Sequence, residues 1–110
     1  MLNDQQISYL LRNWPYAADM ATFVEARIFD PASKLEWYLI ALDPDDLNRA
    51  CAIVVNDSVE LVYVDLDAEI KGFAAQGKVL ENDPNFRREK CMRIWTKLMK
   101  KMRGEFNATV

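Results

Sequence analysis

The sequence predicts an α+β fold: a four-stranded antiparallel meander packed against a long C-terminal helix, with a short N-terminal helix. Three observations predict it. Near the C-terminus, Cys91, Trp95, Leu98 and Met102 recur with the period of a helix, and Met92, Ile94 and Met99 widen the stripe. Between residues 22 and 64 the apolar runs are short, rich in branched and aromatic residues, and separated by turn chemistry alone. Asn3 and Gln6 stand at capping-box spacing before Ile7, Leu10 and Leu11. A chain of 110 residues is long enough for one core without staples. Residues 1–104 therefore read as a single domain, and 105–110 as a flexible tail.

In chain order, the capping box opens a helix over residues 4–13, which Trp14-Pro15 ends. A linker from Tyr16 to Met20 leads into a strand over Thr22–Phe29. There Val24, Ala26 and Ile28 alternate with Phe23, Glu25 and Arg27. Asp30-Pro31-Ala32-Ser33 is a turn before a second strand, Leu35–Leu42. Asp43 to Asn48 reads as a polar loop, Ala50–Val55 as a third strand, Asn56-Asp57-Ser58 as a tight turn and Val59–Val64 as a fourth strand. Connections this short favour antiparallel neighbours. Asp67 is placed to cap a short helix over Ala68–Phe73. Finally, Asp83 caps and Pro84 opens the last helix, which runs from Phe86 to Arg103 with Gly104 as its stop.

The second to fourth strands carry apolar residues on both faces, so both faces need a cover. The C-terminal helix supplies one. The other falls to the short helices or to a second copy of the chain, which makes a homodimer through an apolar sheet face an expectation.

Charge is distributed unevenly. Residues 86–110 hold eight of the fourteen Lys and Arg against two acids, whereas residues 1–85 hold six bases against fifteen acids. Arg87, Arg88, Lys90, Arg93, Lys97, Lys100 and Lys101 are the candidate contact residues, for an acidic partner or for nucleic acid; the plainer reading is a solvated helix face attracted to the acidic body. A net charge of −3 makes generic nucleic-acid binding the second reading, behind protein–protein contact.

Other chemistry finds little footing. The chain has no histidine, hence neither the usual general base nor the commonest transition-metal ligand. Asp43, Asp45, Asp46 and Asn48 invite a calcium reading. An EF-hand loop would then need a ligand, glycine and glutamate where Leu47, Asn48 and Val54 stand. Asp65, Asp67 and Glu69 sit where a helix N-terminus favours anions. Three glycines cannot build a phosphate loop. Cys51 and Cys91 form no CxxC motif and read as buried thiols. No catalytic, cofactor or metal residue is expected. With no apolar run longer than six residues, against about 20 for a bilayer span, and no basic-then-apolar leader, the expected setting is cytoplasmic, away from membranes.

Several short stretches carry a resemblance. They are Leu2-Asn3, then Ile28-Phe29-Asp30-Pro31 followed by Trp37-Tyr38, then Glu60-Leu61-Val62-Tyr63 running into Leu66-Asp67-Ala68-Glu69, and Glu81-Asn82-Asp83 before Phe86. Taken in order over residues 1–86, they resemble a bacterial family carried on plasmids and phages, domain of unknown function 2958. The resemblance implies a small α+β mobile-element protein and assigns no chemistry. The expected function is a non-enzymatic interaction or regulatory protein that contacts another protein or itself.

Overall fold

The computed structural model describes residues 1–108, with side chains described through Gly104. The order is α1 (Asp4–Asn13), a 3₁₀ turn (Trp14–Tyr16), β1 (Phe23–Val24), β2 (Ala26–Phe29), β3 (Glu36–Asp43), β4 (Asp46–Val55), β5 (Val59–Asp65), α2 (Leu66–Ala75), β6 (Glu81–Asn82), β7 (Glu89–Lys90) and α3 (Cys91–Ala108). The protein is α+β, with a five-stranded sheet of order β5-β4-β3-β2-β6 and a separate two-stranded ribbon of β1 with β7. Every pairing is antiparallel. The sheet thus has one strand more than the expected four. Its extra strand, β6, pairs Ile28 with Asn82 and Phe29 with Glu81.

α1 forms as its sequence dictates. The Asn3 side chain accepts from the Gln6 backbone, and the Gln6 side chain accepts from Asn3. The same Gln6 amide also exchanges hydrogen bonds with Asn82, at 3.3 and 2.8 Å. The helix cap therefore also anchors the edge strand.

The expected first strand is broken at Glu25 into β1 and β2. Val24 packs with the α3 side of the sheet, while Ala26 and Ile28 pack with the α1 side. The strict alternation of Val24, Ala26 and Ile28 thus does not place them on one face. A second irregularity lies in β3, where the register slips between Leu39 and Ala41. Ile40 and Ala41 consequently both pack on the α3 side, and Leu42 returns to the other. The Asn13 amide donates to the Ile40 carbonyl at 3.0 Å and the Phe23 carbonyl at 3.2 Å, tying the end of α1 to both irregular sites.

The stretch from Asp43 to Asn48 is not a loop. Pro44-Asp45 alone form the turn, and β4 begins at Asp46. No non-glycine residue described takes a positive φ, so this is not the type I′ turn usual in two-residue hairpins, and the register adjusts beside it between Leu42 and Asp43. α2 starts at Leu66, and its cap is Asp65, whose carboxylate accepts from the Ala68 backbone at 3.0 Å, rather than Asp67.

The last helix also starts later than expected. Asp83-Pro84 is a turn in which Asp83 accepts from the Asn85 backbone, and residues 84–88 are non-helical. At the true start, the Cys91 and Met92 N–H groups donate to the carbonyls of Thr22 and Met20 at 2.8 and 2.9 Å. Backbone carbonyls thus do what a capping side chain would otherwise do. The helix passes through Gly104 rather than stopping there. Of the tail expected at 105–110, residues 105–108 continue the α3 backbone; its side chains, and residues 109–110, lie outside the described residues.

Two apolar cores result. On one face, Leu10, Leu66 and Leu80 pack with Ile28, Trp37, Leu39 and Ala52, joined by Ile7, Ile70 and Phe73. On the other, Cys91, Ile94 and Leu98 pack with Ile40, Cys51, Ile53 and Val55, joined by Trp14 and Trp95. Each face of the sheet is covered by the chain's own elements. On β5, however, Leu61 and Tyr63 stay 40% and 48% exposed, so part of the apolar surface that called for a second copy remains open.

Candidate functional site

α3 sorts its side chains as its periodicity requires. Cys91, Ile94 and Leu98 are buried and Trp95 is half-buried, while Arg93, Lys97, Lys100 and Lys101 are exposed. Arg93, Lys97 and Lys100, at i, i+4 and i+7, form one stripe, and Lys101, three residues after Leu98 and seven after Ile94, flanks the buried side. Glu89, just ahead of the helix, takes two of them: Lys97 at 2.8 Å and Arg93 at 3.7 Å. Lys100 and Lys101 make no ion pair among the described residues.

The other three candidates do not belong to this stripe. Arg87 lies in the irregular segment before β7, and Lys90 in β7 itself, both exposed. Arg88 turns inward. Its Nε and Nη2 donate to the Glu25 carboxylate at 2.9 and 2.7 Å, and Glu25's side chain is only 2% exposed. The guanidinium also lies 4.2 Å from the Phe23 ring centroid and 4.8 Å from that of Tyr9. Its hydrogen bonds to Glu25 raise its pKa above the ordinary arginine value, against the effect of burial. Arg88 is the counter-ion of a buried acid, and the break between β1 and β2 puts that acid there.

A second charged group lies beside the far end of α3. Arg27 bonds Glu36 through Nε and Nη2 and Asp83 through Nη1 at 2.9 Å, and stands over the Phe29 ring at 4.3 Å. Burial works against its charge, but Glu36, Tyr38 and Asp83 together leave its pKa raised. Asp83 is therefore occupied by Arg27 rather than by a helix terminus. Between this group, the β2–β3 and β4–β5 turns and the last turns of α3 there is a cavity of 230 Å³.

Four of the carboxylates weighed for metal binding have local partners. Asp43 and Asp46 accept from the backbones of Asp45 and Asn48, Asp65 caps α2, and Asp67 pairs with Lys71 at 2.9 Å. Among the described residues no group of three or more metal-binding side chains gathers. Cys51 and Cys91 are buried free thiols, and burial pushes Cys51 up and Cys91 up to about 12. Among the described residues no helix is long and apolar enough to cross a membrane.

Reading by sequence missed the structural role of Arg88, because its partner Glu25 is remote in sequence. It also missed Lys34, which the β2–β3 turn brings to the same cavity as Lys101. No local signal connects those positions. In comparisons with family models, curated proteins and solved structures, the chain matches none.

Proposed function

We propose that this is a non-enzymatic interaction protein, of the plasmid or phage kind its short motifs resemble. It acts through protein–protein contacts and meets an acidic partner with the outer face of α3. The observation that carries this reading is the set of exposed cations on α3, Arg93, Lys97, Lys100 and Lys101, beside the buried Cys91, Ile94 and Leu98. Two of its cations, Lys100 and Lys101, have no internal counter-ion among the described residues. Local capping and pairing of Asp65 and Asp67 favour a binding protein over a carboxylate enzyme.

Nucleic-acid binding through the seven basic residues is the second reading. It is favoured by the same cations and disfavoured by the inward turn of Arg88 and the net charge of −3, which repels phosphate at range. Crosslinking of the tagged protein in its native cell separates the two, comparing the wild type with Lys100→Glu/Lys101→Glu. The expected result is a protein partner held by the wild type and lost by the double variant. Retention of the same partners by both forms overturns the reading. Binding to labelled DNA that weakens steeply with salt moves the conclusion to nucleic acid.

A further inference from the structure

We infer that the partner contributes an acidic segment with one apolar side chain, and that this side chain seats in the cavity at the far end of α3. The inference rests on the proposed role of the basic face and specifies what that face holds.

The cavity has an apolar floor of Phe29, Val55, Leu98 and Met102. At 230 Å³ it has room for a single aromatic or aliphatic side chain. Its charged lining is largely self-satisfied. Arg27 is bound to Glu36 and Asp83. Asp30 is buried, and its two oxygens accept from the Ala32 backbone at 3.0 Å and the Ser33 hydroxyl at 2.9 Å. Lys34 and Lys101 remain, exposed at the rim from opposite elements and without an ion pair among the described residues. Lys100 and Lys97 continue the positive charge along the helix. An apolar floor with two exposed lysines at its rim, unpaired among the described residues, complements a chain that presents one hydrophobic anchor among carboxylates. A nucleic-acid strand could offer a base to the same floor, and titration with oligothymidylate distinguishes the two.

The test is a titration of the ¹⁵N-labelled protein, followed by amide shifts. The probe is the peptide N-acetyl-Asp-Phe-Asp-Glu-amide, compared with its alanine counterpart and with an oligothymidylate. The phenylalanine peptide is expected to shift the amides of Ser33, Lys34, Asn56 and Lys101. Its affinity should exceed that of the alanine peptide about tenfold, the factor expected from burying most of one aromatic side chain. Lys34→Glu/Lys101→Glu should weaken it about tenfold, and Lys71→Glu, on α2, should leave it unchanged. Equal binding of both peptides along Arg93 to Lys101 overturns the anchor while the acidic-partner reading stands. Absence of shifts at the four amides, or larger shifts there from oligothymidylate, overturns the inference as well.

Discussion

The Sγ of Cys91 shows how a single position couples packing to solution conditions. It is 1% exposed at the point where α3 meets the sheet, and burial, helped by the nearby Cys51, raises its pKa from 9.0 to about 12. A raised folded-state pKa means the folded chain holds the proton that the unfolded chain releases. Its contribution is therefore complete below pH 9.0 and is lost as pH rises toward about 12. The slope approaches about 1.4 kcal/mol per pH unit. Urea melts between about pH 8 and about pH 10 should show falling stability, with a shallower decline in Cys91→Ala. Equal slopes would mean that the fold does not raise the pKa of this thiol. Trp37 offers a contrast: its indole N–H is buried with no hydrogen-bond partner, edge-on to Phe73 at 6.3 Å. Leaving such a donor unpaired costs about 1–3 kcal/mol, which the burial of so large a ring offsets.

At the scale of elements, the segment from Asp83 to Lys90 decides where α3 begins. It is held on one side by Asp83 to Arg27 and on the other by Arg88 to Glu25. β7 then pairs with β1 and delivers Cys91 to the carbonyl of Thr22. Removing Arg88 would leave the Glu25 carboxylate buried without its cation. Arg88→Ala is therefore expected to destabilise by about 2 kcal/mol, discounted because Arg88 itself is half exposed. Arg87→Ala, one residue earlier and exposed, should stay within about 0.5 kcal/mol of wild type. If chemical denaturation found the two variants alike, Arg88 would return to the set of free contact residues.

For the whole molecule, the arrangement of charge and cover bears on association. Helices α1 and α2 lie over one face of the sheet, and α3 with the 3₁₀ turn over the other. The open edge, β5, carries Glu60 and Asp65 and is flanked by Asp57 and Asp67, which repel a second copy of the same edge. Light scattering should accordingly return a mass near 12.7 kDa at high protein concentration. A stable dimer would point to the exposed Leu61 and Tyr63 of β5 as its interface. The opposite ends of the sheet also differ. Asp43 and Asp46 face each other across the Pro44-Asp45 turn, and Asp65 stands opposite Arg49 on the neighbouring strand. Lys34 and Lys101 border the cavity at the far end.

The sequence by itself determined what depends on neighbours within a turn or two. The capping box of Asn3 and Gln6 specifies α1 to the residue, because both hydrogen bonds close over three positions. The periodicity of Cys91, Ile94 and Leu98 specifies which side of α3 is buried, since helical geometry alone sets that spacing. Pairing between remote backbones decided the rest. Glu81-Asn82 has no strand pattern and becomes β6 because Ile28 and Phe29 present an open edge. Asp46 to Arg49 has Leu47 as its one apolar residue yet joins β4, because Asp46 pairs with Asp43 and Arg49 with Asp65. The seven basic residues look like one stripe when counted along the chain. Only the fold separates Arg88, drawn to a buried carboxylate, from Lys100 and Lys101, which face solvent. A side chain's type is local, but whether its charge is already neutralised depends on which distant segment the packing brings beside it.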